Sequence, residues 1–414
     1  MYHGSLTLFM KQSYDLGIML SKLCALRLLP FILASACGGS NTPIGTAVVV
    51  PPSTSGITGL GDSLTAGNQD ADGMSWPHSV SLLGGINVKN RGIVGQSSTQ
   101  IAARAGAMAT TVSVSGGLIP TSACAVTATF PSHLEPAYLV TATTPYLDGN
   151  GVSITGATVD GSIAGVAGSL QDNGSQVYTF TPTFCPSGAV IVPPNTAWVP
   201  ASTTDYDGAL VIWAGRNDVS NAISIFTIEA AIAAIVAWHS PKPYIVIGIA
   251  NAEGESYGTS NYNQIVALNH ALASTYGDKY VDIRSLLVAE FDPGIGPDVV
   301  DHGNDVIPYS MRATYGPASQ FVLTSAIDNM TCNFTAAPTA PGLMTNDVIK
   351  IDSEYILITS ASGQTATECV RGYGSAAAPH ALDTEYSGTD IMHLNYAGYY
   401  FVGQQIENAL LSGK

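Results

Sequence analysis

Apolar positions in this chain come in two rhythms, and the change between them divides it. Gly56-Ile57-Thr58-Gly59-Leu60 reads as a short buried strand that runs straight into Gly61-Asp62-Ser63-Leu64. A helix starts near Trp76, a strand covers Ile86–Asn90, and helical spacing returns from Ser97 to Arg104. Short continuous apolar runs mark strands buried on both faces, whereas spacing of three and four marks a helix with one apolar face. Strands alternating with helices call for a parallel sheet covered by helices on both sides.

Near residue 110 that rhythm stops. About ninety residues rich in Thr, Val, Gly and Ser follow, with alternating runs such as Gln176-Val177-Tyr178-Thr179-Phe180-Thr181, the pattern of half-buried strands. The βα rhythm resumes with the strand Ala209–Trp213, a helix from Ile225 to Trp238, a strand from Tyr244 to Ile249, a helix around Tyr262–Tyr276 and a strand Tyr280–Ile283. A second β-rich stretch contains Asp347–Asp352 and Glu354–Ile358, two alternating runs around a polar turn, and an apolar-periodic helix from Tyr396 to Leu411 closes the chain. The expected organisation is a leader at 1–36, a Pro/Ser/Thr linker at 37–55, and a core in three parts (56–110, 206–324 and 389–414). Two β-rich inserts, at 111–205 and 325–388, interrupt that core.

The leader carries Lys22 and Arg27 ahead of the apolar run Leu28–Ala34, then Ser35-Ala36-Cys37-Gly38-Gly39-Ser40. This is the layout of an export signal, too short for a membrane span. Ala34-Ser35-Ala36 fits ordinary cleavage, whereas Cys37 before Gly-Gly-Ser resembles a lipoprotein junction with Cys37 lipidated; Leu33 stands one place early for the latter. The stretch before Met19 fits neither signal type, which leaves Met10 or Met19 as the start. Export places the protein in the periplasm, at the outer membrane or outside the cell, with membrane contact only through the lipid anchor. Of six cysteines, Cys24 and Cys37 belong to the leader and its junction. Cys124, Cys185, Cys332 and Cys369 remain, an even number that in an exported chain predicts disulfides. Cys124–Cys185 and Cys332–Cys369 are the expected pairs because each falls inside one insert; zinc is the rival, without a C-x-x-C or nearby His pair to support it.

Charge narrows the partners. The net charge is −16 over 414 residues, and loss of residues 1–36 takes it to −18. An acidic chain with no basic run repels phosphate backbones, so nucleic acid is excluded as an expected partner.

Gly61-Asp62-Ser63-Leu64-Thr65-Ala66-Gly67 follows a strand, and its small residues let the chain turn sharply, leaving a hydroxyl at the carboxyl edge of the sheet. Alone, Gly-Asp-Ser is an ordinary turn. A serine nucleophile needs a base and a group that orients the base. Among eight histidines, His393 in Asp390-Ile391-Met392-His393-Leu394-Asn395 has that setting, with Asp390 three residues away and able to meet it across one turn. His302 reads as a surface-loop residue, His380 as a surface residue of the second β segment, and His239 as a helix cap favoured by the dipole. Oxyanion donors are expected from the Gly95 amide in Gly92-Ile93-Val94-Gly95-Gln96-Ser97-Ser98 and the Asn217 side chain in Trp213-Ala214-Gly215-Arg216-Asn217-Asp218. Each, singly, is a plain β-to-α turn.

In this order the four segments GDSLTAG, IVGQSS, GRND and DIMHLNYAGY resemble the SGNH, or GDSL, hydrolase family over residues 56–110, 205–310 and 388–414. Ile391 departs from a position where that family often has Gly. The resemblance implies a three-layer αβα flavodoxin-like core and an ester hydrolase of the acyl-enzyme type. It assigns Ser63 as nucleophile, Asp390 and His393 as partners, the Ser63 and Gly95 amides with Asn217 as the oxyanion hole, and no metal or cofactor. Separately, Asp347–Glu354 with Arg371-Gly372-Tyr373-Gly374 and Ala378-Pro379-His380-Ala381 is similar to a small β module of phage structural proteins, which points to a cell-surface glycan as target. The expected substrate is an O-acetyl ester on a polysaccharide. A short-chain lipid ester or thioester, and a non-catalytic glycan-binding surface protein, are the alternatives.

Overall fold

The structure, a computed structural model, describes residues 56–413 apart from 68–73, 137–145, 148–152, 155–157, 173–177, 202–205, 316–321, 338–342, 344, 383 and 385. The expected leader, Cys37 and the linker lie outside the described residues.

In chain order the first core segment forms β1 (Ile57–Gly61), α1 (Ser63–Ala66), α2 (Trp76–Gly84), β2 (Val88–Gly92) and α3 (Ser98–Ala105). The strands of a barrel follow, with two short two-stranded sheets between them: β3 (Thr110–Val114), β4 (Val126–Thr129), β5 (Thr158–Ile163), β6 (Val166–Asp172), β7 (Tyr178–Pro182) and β8 (Thr196–Pro200). The core resumes with β9 (Ala209–Trp213), α4 (Arg216–Ser220), α5 (Ile225–His239), β10 (Tyr244–Ile247), α6 (Ser260–Tyr276), β11 (Tyr280–Val281), α7 (Ile283–Ala289) and α8 (Gly296–Gly303). Then come β12 (Arg312–Tyr315), β13 (Val322–Leu323), β14 (Phe334–Ala337), β15 (Val348–Ile351), β16 (Glu354–Ser362), β17 (Thr365–Val370), β18 (Tyr386–Leu394) and α9 (Tyr396–Leu411).

Five strands make a parallel sheet in the order β11-β10-β9-β1-β2. Leu210, Val211, Ile212 and Trp213 of β9 are consecutive and all buried, which a strand achieves only when both faces of its sheet are covered. Two packed groups of helices provide the cover: α3, α5 and α6, and α2, α9 and α7. Their starts are set by side-chain caps. Ser97 makes a capping box with Gln100 at α3, and Ser224, Thr259 and Asn395 cap α5, α6 and α9. Several expected strand ends move, among them the end of β10, at Ile247 rather than Ile249. The strand expected at 86–90 runs from Val88 to Gly92, in register with Ile57 to Gly61. Ile283, expected in a strand, opens α7, because the Asp282 carboxylate accepts the Ser285 N–H and hydroxyl proton and starts a helix there.

The second rhythm of the sequence gives a closed antiparallel barrel, β7-β4-β3-β8-β5-β6, around Val112, Ala128, Ile163, Leu170, Phe180 and Trp198. A Cβ at Gly161 would stand 2.3 Å from the Trp198 ring, so the indole fills the space that glycine leaves. The other β-rich region forms a seven-stranded antiparallel sheet, β12-β18-β15-β16-β17-β14-β13. Its first two strands, β12 and β18, take in residues before 325 and after 388, so this sheet reaches into sequence read as core. Cys124–Cys185 and Cys332–Cys369 are disulfides, which uses all four cysteines and removes the zinc alternative. Disulfides fit an oxidising, extracytoplasmic compartment. Among the described residues no helix is long and apolar enough to cross a membrane.

Candidate active site

Ser63 is the first residue of α1, at the carboxyl end of β1, and close backbone approach dictates the residues around it. A Cβ on Gly61 would lie 2.2 Å from Thr65 Oγ1 and 2.4 Å from the Trp213 carbonyl oxygen; one on Gly92 would lie 2.2 Å from the Ala66 amide nitrogen. Only glycine at both strand ends lets α1 sit between them. Asp62 caps the short helix, its Oδ1 accepting the Leu64 N–H at 3.0 Å. Burial pushes the Asp62 carboxyl up to about 7, against the pull of that N–H and of His393.

The imidazole of His393 stands between two partners. Nε2 lies 3.0 Å from Ser63 Oγ and Nδ1 lies 3.0 Å from Asp390 Oδ1. Asp390 Oδ1 also accepts the backbone N–H groups of Met392 at 2.8 Å and His393 at 2.6 Å. Burial raises the Asp390 carboxyl, but His393 and these N–H donors outweigh it and hold it well below the usual carboxylate range. For His393 burial acts downward, and Asp390, helped by Asp62, outweighs it, so its pKa lies above the ordinary 6.5.

The route by which Asp390 and His393 meet differs from the expected one. They do not cross a helical turn; both lie within β18, where a spacing of three normally puts side chains on opposite faces. A bulge resolves this. Arg312 pairs with Leu394 and Thr314 with Thr389, so β18 takes five steps where β12 takes two, and the extra residues fold back onto the Asp390 carboxylate.

Asn217, in α4, donates from Nδ2 to the Gln96 carbonyl at 3.0 Å and, more weakly, towards Asp62 Oδ2 at 3.4 Å. Gly95, at φ +78°, immediately precedes Gln96 in the turn after β2. Segments near residues 62, 95, 217 and 393 therefore converge on one place. Among the described residues neither the Ser63 nor the Gly95 N–H finds an acceptor.

Several side chains that hold this arrangement carry no sequence signal of their own. Asp218 accepts the Ser98 N–H and hydroxyl, both at 2.7 Å, and so ties the first turn of α4 to that of α3; burial raises its pKa. Arg104 donates to the carbonyls of Gly61 and Arg91, at the ends of β1 and β2, and to Gln96 Oε1. After β4, the stretch 131–136 docks on α3: Gln96 and Gln100 donate to the Pro136 carbonyl and to Glu135, at 3.2 and 3.1 Å. This brings the barrel to the edge of the site. Asp and Arg are rarely buried, so residue type alone gave no signal for these positions.

The other histidines stand elsewhere, two of them against expectation. His302 lies on helix α8 rather than in a loop, stacked on Phe291 at 3.9 Å, with Nδ1 3.1 Å from the Val288 carbonyl oxygen. His380 is not a surface residue: it is 4% exposed, with Nδ1 3.0 Å from Asp352 and Nε2 2.8 Å from Glu354. His239 ends α5 as expected, but its buried ring faces the Pro243 carbonyl at 3.0 Å, and burial lowers its pKa. Among the described residues no group of three or more His, Cys, Asp or Glu is placed to hold a metal ion.

Compared with family models, with curated proteins and with solved structures, the chain matches none of them.

Proposed function

We propose that this protein is a serine esterase of the SGNH type, working through an acyl-enzyme. The observation that carries the reading is the unbroken chain Ser63 Oγ, His393 Nε2, His393 Nδ1, Asp390 Oδ1, each link 3.0 Å. Supporting it are the sheet order, in which the chain's first core strand sits between its second and third as in flavodoxin-like folds, and the position of Ser63 where that order reverses.

In the proposed reaction Ser63 gives its proton to His393 Nε2 as its oxygen attacks the ester carbonyl, and Asp390 steadies the imidazolium. The oxyanion takes hydrogen bonds from the Ser63 and Gly95 N–H groups and from Asn217. Of the two Asn217 Nδ2 protons, one stays on the Gln96 carbonyl, and the other, only weakly held by Asp62, turns to the substrate. His393 returns its proton to the departing alcohol, and water, activated by the same ring, releases the acid.

The substrate proposed is a short acyl ester, an O-acetyl group on an extracytoplasmic glycan, with the barrel loop at 131–136 and the β18 sheet forming walls beside Ser63. Export by the leader, with or without lipidation at Cys37, belongs to the same proposal. The test is turnover of a chromogenic acetyl ester by wild type and Ser63→Ala, followed by a series of acetylated glycans and ester chain lengths. Loss of turnover in the variant supports the reading; equal background rates leave a glycan-binding protein in its place.

A further inference from the structure

We propose that the loop between β10 and α6, residues 248–259, is a two-ended clamp that holds Asn217 and the Asp390–His393 pair in register, with Glu255 and Glu253 as positioning residues. This rests on the esterase reading above. The two carboxylates are two residues apart, 8% and 4% exposed, and they serve opposite halves of the site.

Glu255 grips Arg216 at both terminal nitrogens, 2.8 Å to Nη1 and 2.6 Å to Nη2, and accepts N–H donors from Ala252 at 2.7 Å and Asn261 at 2.9 Å. A guanidinium held as a fork is fixed in rotation as well as in place, and Arg216 is the covalent neighbour of Asn217. Glu253 works on the other side. Its carboxylate lies 2.9 Å from Arg312 Nη1 as an ion pair without an aligned hydrogen bond, Arg312 Nη2 donates to Asp301 at 2.9 Å, and the Tyr373 hydroxyl lies 2.7 Å from Asp301 and 3.3 Å from Glu253. Arg312 is the residue opposite Leu394 at the end of the bulge. The Glu253 backbone N–H donates to the Ile391 carbonyl at 2.7 Å, within the bulge itself and one residue after Asp390. Asn251 Nδ2 donates to the Glu255 carbonyl at 2.9 Å and to the Asp305 carbonyl at 2.8 Å, which fastens the loop to the segment after α8.

Buried charge contributes less to stability than well-packed apolar groups of the same volume. Its use here is geometric: a guanidinium between carboxylates has one satisfactory arrangement, and a 1 Å error at a reacting atom costs about a hundredfold in rate. Tyr373 comes from Arg371-Gly372-Tyr373-Gly374, the motif of the second β segment, which makes that segment part of the support for His393.

The experiment compares Glu255→Gln and Glu253→Gln with wild type in steady-state turnover of an acetyl ester across pH, with folding checked by circular dichroism and thermal melts. Glu255→Gln is expected to lower kcat on the order of tenfold or more, with KM unchanged and a small downward shift of the acid limb, because Asn217 is loosened and Arg216, which faces His393 and lowers its pKa, loses its neutralising carboxylate. Glu253→Gln is expected to lower kcat and to move the acid limb to lower pH, because the Asp390 contact that supports imidazolium is loosened. If either variant fails to fold, Asn261→Ala removes one hydrogen bond to Glu255 and Tyr373→Phe removes the hydroxyl that faces Asp301 and Glu253; both keep all three ion pairs and are read for the same two effects. Folded variants that keep wild-type kcat and pH profile, and differ only in melting temperature, overturn the clamp and leave the esterase reading intact. A wild type without turnover removes the esterase reading and the clamp with it.

Discussion

At the residue scale the behaviour of His393 follows from its two neighbours. The base must be neutral to accept the Ser63 proton, and Asp390 stabilises the charged ring. On the proposed esterase reading, a raised pKa therefore means that more of the protein is inactive at a given acidic pH. The sign is fixed: kcat/KM rises with pH along a limb whose midpoint lies above 6.5, the ordinary histidine value. Asp390→Asn is expected to move that midpoint down and to reduce kcat by about 10⁴ through loss of the oriented tautomer. A pH–rate series on both proteins checks both effects. Asn217→Ala removes one of the proposed oxyanion donors and is expected to lower kcat by about 10²–10³, with little change in KM. Single-turnover acylation rates measure it without interference from product release. Residues of this kind were legible in the sequence because chemistry restricts their type: a nucleophile, a base and an orienting carboxylate. Glu253, Glu255, Asp218 and Arg104 were not, because a carboxylate or guanidinium that grips a neighbour looks, in sequence, like any solvated surface charge.

At the scale of elements, glycines at strand ends explain why α1 can follow β1 without a loop. Gly61→Ala places a methyl group against Thr65 and the Trp213 carbonyl, a clash with backbone that cannot rotate away. We expect about 1–3 kcal/mol of lost stability in urea unfolding, and a larger proportional loss of turnover, since the displaced segment carries Ser63. Strand and helix periodicity placed most core elements within two or three residues, and Ala209–Trp213 and Tyr396–Leu411 stand where the pattern puts them. The departures have local causes. Asp282 outcompetes a strand ending by offering a cap, and the β18 bulge replaces the helical turn that a spacing of three suggested. Propensity reports the average neighbourhood of a residue; a cap or a bulge depends on one hydrogen-bond partner, which in β18 comes from a strand more than seventy residues earlier.

For the whole molecule the charge matters most. A net charge of −16 repels anionic substrates over roughly a Debye length, about 8–10 Å at 0.1–0.15 M ionic strength. Turnover of a negatively charged acetyl ester is thus expected to rise with added salt, while that of a neutral ester of the same acyl group stays level. A matched pair of substrates at low and high sodium chloride reads this directly; equal responses would show that the field at the site does not follow the net charge. The same scale explains the β-rich regions. Alternating Thr/Val runs state that strands form, and they do not state which strands pair, because each could bury its apolar face against several others. Pairing was settled by closure, which joins β6 to β7 and leaves no edge in the barrel, and by β18, which continues the second β region into the strand bearing Asp390 and His393.

By itself the sequence determined most of the element types, an expected pairing of cysteines within each β-rich stretch that the structure bears out, and the short roster of residues proposed for acyl chemistry. All of these depend on residue identity and on neighbours a few positions away. Tertiary structure alone decided that residues 63 and 393 meet, that Asn217 stands beside them on the Gln96 carbonyl and Asp62, that a bulge turns Asp390 towards the imidazole, and that a loop from the middle of the chain contacts both Arg216 and Ile391. Those outcomes depend on distances between segments far apart in the chain, from 39 residues for Arg216 and Glu255 to 330 for Ser63 and His393, which only the packed fold defines.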